Sequence, residues 1–561
     1  NLQIEKGYND KDIAIIGLSC AFPNASNYEE FWNNLIKELD TVYEVSYKDL
    51  MYNNNPSKDT NESRYHGSFF NYSLDFVPEF FNISPAEAEG MSSQLKFLLQ
   101  LAYEALESSG YTSKDLAKTP TGVFVGAVPV FSSDLLYNLS PHVLLGNSSA
   151  MLANRLSYYF NFSGPSLTID TLCSSSLTAL HLAIQSVRSG ESSTAVAAGV
   201  RLGIQPEYLD AAKKMNALSP TGKCRSFSNK ADGFVPGEGG VVIIIKPLTH
   251  AQKDNDNILA IIRGSAINHG GRGSGLTAPN TNAQKDVILG ALKDANISAD
   301  TISYVEAHGT GTELGDPIEF TGLSEAFLEH TTAKQFCGLG SVKTNIGHCE
   351  PAAGLAGLAK VVLSLQNKKL PATLHLETIN PLISIEESPF YLVKETKLWD
   401  NSNLPLRAGI SSFGIGGSNA HIILEESPKT PKVSNEFDNL YNIFTFSAHN
   451  AITLRTLVNN HYNNLSYNKD INLKDLAFTL NVGRNHLEQR IAVCANSLDT
   501  LNQSLNSYLL GKPNDILEAG SCKSHKKPKI IFLFTGQGSQ YLHMHKELYE
   551  NETIFASVLN K

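Results

Sequence analysis

The segment Asp-Thr-Leu-Cys-Ser-Ser-Ser at residues 170–176 constrains the fold of this chain more than any other. An apolar, β-rich run at residues 165–172 leads into it, and residues 174–190 follow with helical periodicity. Cys173 is therefore predicted to lie at a strand-to-helix corner, where free amide groups and the positive end of the helix dipole favour a thiolate. A cysteine taken at random is more often a buried structural residue, so this segment alone leaves both interpretations open.

A histidine in a loop rich in glycine and threonine is the second feature that indicates chemistry. His308 follows a predicted strand at residues 302–306 and opens the run His-Gly-Thr-Gly-Thr. The glycines let the backbone approach a ligand closely, and Thr310 and Thr312 offer hydroxyls for polar contacts. Taken alone, this histidine is explained equally well by a hydrogen bond that shapes the loop.

A second histidine ends the run Lys-Thr-Asn-Ile-Gly-His, which begins at Lys343. His348 comes just before a predicted helix at residues 352–365, and a helix N-terminus disfavours an imidazolium. A neutral imidazole can donate a hydrogen bond to a developing oxyanion. Lys343 could orient or charge-balance such a site, although without this context an ordinary surface lysine would be the better interpretation.

One cysteine and two histidines are also found in Cys–His hydrolases and in zinc sites. The three residues lack the close pairing of ligands that is common in zinc sites. A hydrolase would leave the second histidine without a role. Both alternatives are therefore disfavoured.

Composition narrows the class of protein further. The chain has 561 residues, of which 42% are apolar, and this length favours several folded units. A net charge of −10 does not favour nucleic acid or anionic membranes as partners, and no run approaches the ~20 apolar residues that span a bilayer. The seven cysteines form no CxxC pair and the N-terminal residues resemble no secretion signal, so a reducing cytoplasm is predicted.

The order of predicted elements indicates two α/β units. Strands and helices alternate from residue 12 to about residue 426, as in α/β proteins whose helices cover a sheet. Residues 409–413 and 420–424 are predicted to form a hairpin that closes this region. A smaller α/β unit is expected at residues 440–511, and a further strand at residues 529–534.

Four segments in colinear order resemble the signatures of the β-ketoacyl synthases (ketosynthases) of modular polyketide synthases. They are residues 170–177, 308–319, 341–354 and 412–421. The resemblance covers roughly residues 11–426 and implies a thiolase-like core with five αβαβα layers, assembled as a homodimer.

The same resemblance predicts three domains. A ketosynthase is expected at residues 11–427, followed by a ketosynthase–acyltransferase linker domain at residues 428–528. Residues 529–561, with Gly-Gln-Gly-Ser-Gln at 536–540, are similar to the start of an acyltransferase. The Gly-His-Ser-X-Gly nucleophile motif of that enzyme does not occur in the sequence.

The resemblance implies roles for the residues at the core of the site. Cys173 would accept an acyl group as a thioester, and the backbone N–H groups of Cys173 and Phe413 would stabilise the tetrahedral oxyanion. A malonyl-type extender would then lose CO2, and His308 and His348 would stabilise the enolate. That enolate would attack the thioester in a decarboxylative Claisen condensation, which makes the protein an acyl-transferring enzyme.

Further residues receive supporting roles from the same resemblance. Thr310 and Thr312 would hold the pantetheine arm, and Lys343 would order the histidines. Leu172 stands where alanine or methionine is usual, so it is a candidate determinant of the acyl pocket. No bound cofactor or metal is implied, because the phosphopantetheine belongs to the carrier protein.

Several alternatives stay open at this point. Residues 231–239 and 268–271 resemble the subgroup served by free-standing acyltransferases, whereas the acyltransferase-like residues 529–561 argue for an integrated one. A chain-elongating ketosynthase is the leading interpretation. A non-elongating ketosynthase that relays acyl groups would be expected to lack the His308 motif. A docking module at residues 428–561 that recruits a free-standing acyltransferase is a further alternative.

The predicted partners follow from the leading interpretation. They are an upstream acyl carrier protein that donates the acyl chain, a second carrier that holds the malonyl-type extender, and a second copy of the chain. The protein would work in the cytoplasm as part of a larger multidomain synthase, without nucleic acid or membrane.

Overall fold

The structure is a computed structural model that describes residues 8–50, 63–70, 75–129, 140–273, 275–400, 404–428, 441–468, 470–522 and 529–561. Its strands are β1 Ile13–Ala21, β2 Tyr43–Ser46, β3 Arg64–Gly67, β4 Thr121–Gly126, β5 Ser166–Ile169, β6 Thr194–Arg201, β7 Gly239–Pro247, β8 Ala260–His269, β9 Tyr304–Glu306, β10 Cys337–Gly340, β11 Lys369–Leu370, β12 Phe390–Leu392, β13 Lys397–Leu398, β14 Arg407–Phe413, β15 Ser418–Glu426, β16 Asn442–Ala448, β17 Gln489–Ala495 and β18 Leu517–Ser521.

The helices are α1 Tyr28–Ile36, α2 Tyr47–Leu50, α3 Pro85–Glu89, α4 Ser93–Ser109, α5 Ser113–Leu116, α6 Pro141–Gly146, α7 Ala150–Phe160, α8 Ser175–Arg188, α9 Pro206–Lys214, α10 Leu248–Lys253, α11 Thr281–Ala295, α12 Gly315–Leu328, α13 Lys343–Ile346, α14 Ala353–Asn367, α15 Ala451–Tyr467, α16 Leu473–Val482, α17 Leu498–Leu510, α18 Lys546–Asn551 and α19 Thr553–Leu559. None of them, in the part of the chain that the structure describes, is both long and apolar enough to cross a membrane.

One large mixed sheet organises the first α/β unit. Its strand order is β12-β10-β9-β14-β15-β8-β1-β7-β6-β4-β5. The two halves of this sheet join where Ile13–Ile15 of β1 pair antiparallel with Ala260–Ile262 of β8. Each half contains parallel strands followed by antiparallel ones, so the halves repeat one pattern.

Helices fill the space between the two halves and cover their outer faces. Along β7, Val241, Ile243 and Ile245 pack into a central core with α8 and α14, whereas Val242 and Ile244 pack on the other side with α4 and α7. This alternation follows from the two-residue period of a strand. Helices α11 and α12 cover the second half of the sheet. The predicted α/β class with five αβαβα layers is confirmed.

A smaller α/β unit follows, as the sequence predicts. Strands β16, β17 and β18 form an antiparallel sheet, and α15, α16 and α17 pack on it around their own apolar core. Arg484 joins this unit to the first one, because its guanidinium donates to the backbone carbonyl of Glu107 at 2.8 Å. Residues 429–440 and 523–528, which fall within the linker domain predicted at residues 428–528, lie outside the described residues.

The predicted strand at residues 529–534 is wrong. Residues 530–534 belong to no strand, and their side chains are 76% to 90% exposed. A strand requires a partner for its backbone N–H and C=O groups, and none of the described strands pairs with this run. An apolar β-prone sequence therefore does not form sheet structure here.

Candidate active site

One cleft of about 790 Å³ brings together most of the predicted site residues. It is lined by Leu172, Cys173, His308, Thr310, Thr312, His348 and Phe413. These residues come from both halves of the large sheet, because Cys173 follows β5 whereas both histidines follow strands of the other half. The cleft therefore lies where the two halves meet.

Cys173 lies in a single 3₁₀ turn, Leu172–Ser174, between β5 and α8. Side-chain hydroxyls hold this corner in place: Ser175 donates to the carbonyl of Leu172 at 2.6 Å, and Ser412 donates to the carbonyl of Cys173 at 2.8 Å. Leu172 has φ +56°, in the left-handed region that residues with a Cβ avoid. The corner thus presents the thiol to the cleft at the cost of local backbone strain.

At Cys173, burial outweighs the amide groups and helix dipole that were expected to favour a thiolate. Burial raises the pKa of the Cys173 thiol to about 12, and the negative charge of Glu350 raises the pKa further. The positive charge of Lys343 and two backbone N–H groups lower this pKa, but they do not offset the loss of hydration. A thiol with this pKa carries its proton at neutral pH.

One N–H donor to the thiol was not predicted from the sequence. Besides the N–H of Cys173 itself, the N–H of Ile415 faces the sulfur. Ile415 lies in the turn between β14 and β15, and this turn approaches the corner closely: a Cβ at Gly414 would lie 2.5 Å from the carbonyl oxygen of Thr171. The run Gly-Ile-Gly-Gly was the available signal, but it does not say which part of the fold the turn faces.

The loop after β9 holds His308 by its backbone. The N–H groups of His308 and Gly309 donate to the two carboxylate oxygens of Glu319 at 2.6 and 2.7 Å. Gly309 has φ +41°, and its carbonyl accepts hydrogen bonds from the hydroxyls of Ser226 and Ser341. The Nδ1 atom of His308 is buried and has no partner among the described residues.

The tautomer of His348 follows from one hydrogen bond. The backbone N–H of Glu350 donates to Nδ1 of His348 at 3.2 Å. Because a backbone amide only donates, Nδ1 must be unprotonated, and the neutral ring carries its proton on Nε2.

The two imidazoles lie close together and stay neutral. Their ring centroids are 5.4 Å apart with an interplanar angle of 85°. Burial, and then the charge of Lys343, lowers the pKa of both His308 and His348 well below the usual value. The predicted neutral state of His348 is confirmed. Its main cause is burial rather than the neighbouring helix N-terminus.

Lys343 is a core residue of the site. It is the first residue of α13 and only 3% exposed, so the alternative interpretation as a surface lysine is wrong. Its positive charge lowers the pKa of Cys173, His308 and His348 alike. Lys343 therefore lies close enough to act electrostatically on Cys173 and on both histidines.

A buried ion pair between Lys360 and Glu306 holds together the segment that carries Lys343 and the loop that carries His308. The ammonium of Lys360 in α14 lies 2.8 Å from Oε2 of Glu306, and both side chains are at most 2% exposed. Oε1 of Glu306 accepts the backbone N–H of Val342 at 2.6 Å. Since Glu306 ends β9 and Val342 precedes Lys343, the pair joins the two segments that carry the histidines.

The threonines lie at the cleft as predicted, with their hydroxyls 3.2 Å apart. The next helix, α12, begins at Gly315. The Asp316 carboxylate accepts the backbone N–H groups of Phe227 at 2.7 Å and Gly311 at 3.2 Å, so it holds the threonine loop in place.

Comparison with known proteins identifies the family. The chain matches the models "Beta-ketoacyl synthase, N-terminal domain" over residues 10–251 and "Beta-ketoacyl synthase, C-terminal domain" over residues 259–377. Residues 380–493 match the "Ketoacyl-synthetase C-terminal extension". The chain belongs to the β-ketoacyl synthase family. The resemblance stated from the sequence is thereby confirmed.

The relatives of this ketosynthase are polyketide synthases. It is 42% identical to "Polyketide synthase PksN" of Bacillus subtilis over 91% of this chain and 10% of the relative, and 41% identical to "Polyketide synthase PksL" of the same organism over 89% of this chain and 12% of the relative. The chain thus spans about a tenth of the length of these relatives.

Solved ketosynthase structures superpose closely. The ketosynthase from module 6 of the bacillaene synthase of Bacillus subtilis has a TM-score of 0.83 at 36% identity, covering 98% of this chain and 91% of that one. The oxazolomycin ketosynthase domain OzmH KS7 of Streptomyces albus has a TM-score of 0.84 at 36% identity, covering 93% and 91%. The predicted thiolase-like ketosynthase fold is confirmed.

Sequence reasoning missed a charged cluster in the wall of the ketosynthase cleft. Arg201, Tyr208 and Glu350 line it together with Cys173. Arg201 ends the buried strand β6, and an arginine that closes an apolar run was the available signal. Its Nη2 atom lies 3.1 Å from Oε2 of Glu350.

Proposed function

We propose that this ketosynthase extends a polyketide chain by decarboxylative condensation on Cys173. The observation that carries the proposal is a pair of buried, neutral histidines, His308 and His348, whose ring centroids lie 5.4 Å apart. Both line the cleft that contains Cys173. Acyl transfer alone requires one oxyanion site, whereas condensation also requires donors for an enolate. Two neutral imidazoles provide N–H donors without placing a positive charge in the site.

The first step would load the acyl chain. As the sulfur of Cys173 attacks the thioester carbonyl of the upstream carrier, the thiol proton leaves and a tetrahedral oxyanion forms. The N–H groups of Cys173 and Phe413 would donate to that oxyanion. When it collapses, the carbon–sulfur bond to the carrier breaks, and the departing carrier thiolate takes up a proton, which balances the proton lost from Cys173. The N–H of Ile415 would stabilise the charge that develops on the cysteine sulfur.

The second step would form the new carbon–carbon bond. The carbon–carbon bond to the malonyl carboxylate breaks and the carboxylate leaves as CO2. The electron pair of that bond forms an enolate, whose oxygen accepts hydrogen bonds from His308 and from Nε2–H of His348. The enolate carbon attacks the Cys173 thioester, the carbon–sulfur bond breaks, and Cys173 regains a proton. The β-ketoacyl product stays on the carrier. No redox change occurs in this balance, so no redox cofactor is required, and the N–H donors of the two histidines would do the work that a Lewis-acid metal does in other enzymes.

The remaining residues would position these groups. Thr310 and Thr312 would contact the phosphopantetheine arm that the carrier supplies, and Lys343 would order the two histidines through its charge. Leu172, next to the thiol in the cleft, would limit the shape of the acyl chain.

The partners would be two acyl carrier proteins and a second copy of the chain within a larger synthase. The helices and strand before the nucleophile offer a surface for that second copy. Leu144, Leu145, Tyr158 and Leu167 there are each about half exposed or more. A homodimer would remove this apolar surface from water.

The test is intact-protein mass spectrometry after incubation with an acyl thioester, followed by malonyl-loaded carrier protein. We expect acylation to vanish in Cys173→Ala. In His308→Ala we expect acylation to persist while condensation is lost. Acylation that persists in Cys173→Ala would overturn the proposal, and a wild type that is acylated but never condenses would identify a non-elongating relay.

A further inference from the structure

The charged cluster in the wall of the cleft combines a cation, a carboxylate and a phenol. The guanidinium of Arg201 pairs with Glu350 at 3.1 Å and lies over the ring of Tyr208, 5.0 Å from its centroid. The hydroxyl of Tyr208 also lies beside the Glu350 carboxylate. Arg201 is 4% and Glu350 7% exposed, so the pair is withdrawn from water inside the cavity that holds Cys173.

This cluster leaves one donor and one acceptor unused. Nε of Arg201 and Oε1 of Glu350 are buried and have no hydrogen-bond partner among the described residues. Leaving such atoms of charged groups unpaired is costly. Glu350 also has φ +42°, so its backbone is held in a strained conformation. The pair thus has unused hydrogen-bonding capacity at a strained position of the substrate cleft.

The cluster is close to the reacting groups. The turn that begins at Glu350 packs against the turn of Cys173. The charge of Glu350 raises the pKa of Cys173, and the charge of Arg201 lowers the pKa of His348. Apolar side chains also line the cleft, among them Leu172, Phe234, Phe413 and Ile415, and so do polar ones such as Asn280, Gln284 and Asn419. Among these groups the Arg201–Glu350 pair combines opposite charges with direct electrostatic influence on Cys173 and His348.

We propose that Arg201 and Glu350 form a specificity subsite for a hydroxyl group on the acyl chain bound to Cys173. A hydroxyl can accept from Nε–H of Arg201 and donate to Oε1 of Glu350, so it satisfies both unused atoms. A ketone can only accept, and a methylene does neither. Both free atoms are buried, so the side chains have to rotate before these atoms can contact the acyl chain. This inference rests on the proposed function, since it concerns the acyl group loaded on Cys173.

The test compares the acylation rates of Cys173 with pantetheine thioesters of 3-hydroxybutyrate, 3-oxobutyrate and butyrate, followed by intact-protein mass spectrometry. We expect the 3-hydroxy substrate to react at least about tenfold faster than butyrate, with the 3-oxo substrate between them. Replacing Arg201 alone would leave Glu350 as an unpaired buried charge, so the main variant is Arg201→Leu/Glu350→Met. Apolar replacement of both members of a buried ion pair is often neutral for stability.

The outcomes separate this inference from the proposed function. The double variant should lose the preference for the 3-hydroxy substrate and still react with butyrate, whereas Arg64→Leu, at an exposed arginine, should keep the preference. Similar rates with all three substrates in the wild type, or a preference that survives in the double variant, would overturn the inference alone. An equal slowing with all three substrates would identify the pair as structural. A failure of every thioester to acylate Cys173 would instead reject the proposed function.

Discussion

The backbone N–H of Glu350 and Nδ1 of His348 lie 3.2 Å apart, and their hydrogen bond places the proton of the neutral imidazole on Nε2. The donor is set by the turn that starts the Glu350–Ala352 segment, so the tautomer is a property of the backbone. A substrate oxygen that contacts Nε2 would therefore meet an N–H donor. In the proposed condensation, such a donor would stabilise the enolate without a prior protonation of the imidazole.

Replacement of His348 tests that assignment. The amide nitrogen of glutamine can occupy the position of Nε2, whereas that of asparagine corresponds to Nδ1. We expect His348→Ala and His348→Asn to slow condensation by about 100- to 1,000-fold. His348→Gln should retain at least about tenfold more activity than either, as expected if one N–H donor is restored. The measurement is the rate of β-ketoacyl formation on the carrier, with acylation of Cys173 as the control. Equal loss in all three variants would contradict a role for Nε2–H.

The pH dependence of Cys173 alkylation follows from its raised pKa. With a pKa of about 12, the thiolate fraction rises with pH across the whole neutral and mildly alkaline range. The rate of labelling by iodoacetamide should therefore rise about tenfold per pH unit between pH 7 and 9, without a plateau. Peptide-resolved mass spectrometry separates Cys173 from the exposed Cys494 and Cys522. A plateau below pH 8 would show that a thiolate exists at rest.

Removal of the charge at Lys343 should raise the pKa of Cys173, His308 and His348, because the lysine lowers all three. The lysine lowers the pKa of Cys173, so Lys343→Met should raise that pKa and slow alkylation at any fixed pH. Lys343→Arg keeps the charge and should label faster than the methionine variant. Lys253→Met, a remote helix position, should behave as the wild type. Equal labelling rates for Lys343→Met and the wild type would argue against electrostatic coupling.

Breaking the buried ion pair between Lys360 and Glu306 should lower the free energy of unfolding more than breaking an exposed ion pair. Lys360→Met leaves the buried Glu306 carboxylate without its cation, which typically costs about 3–5 kcal/mol. Lys334→Met breaks an exposed pair with Glu387 and should cost less than about 1 kcal/mol. Chemical denaturation of the two variants measures the free energies of unfolding. Equal effects would mean that the buried pair is hydrated.

Local patterns were enough to predict the elements around the nucleophile. The strand before Cys173, the helix after it and the hairpin of β14 and β15 all lie where periodicity places them. The strand expected at residues 529–534 failed because strand formation depends on a partner elsewhere in the chain. Local β propensity therefore shows that a segment can form a strand, but a strand forms only where a hydrogen-bonding partner is present.

The chemistry of the site depended on burial, which a sequence does not show. The helix dipole argued for a thiolate at Cys173, yet loss of hydration outweighs it. Burial similarly places Lys343 inside the site rather than on the surface. The pairing of Arg201 with Glu350 links residues 149 positions apart, and only the fold brings them together.

The left-handed backbone at Leu172 limits which side chains can border the nucleophile. A β-branched valine or isoleucine would add a second branch where even one Cβ is disfavoured. Unbranched or small side chains such as leucine, methionine and alanine carry the smaller penalty. If Leu172 borders the acyl chain as proposed, the side chains that can reshape that pocket at this position are a small set that differ in length and are unbranched at Cβ.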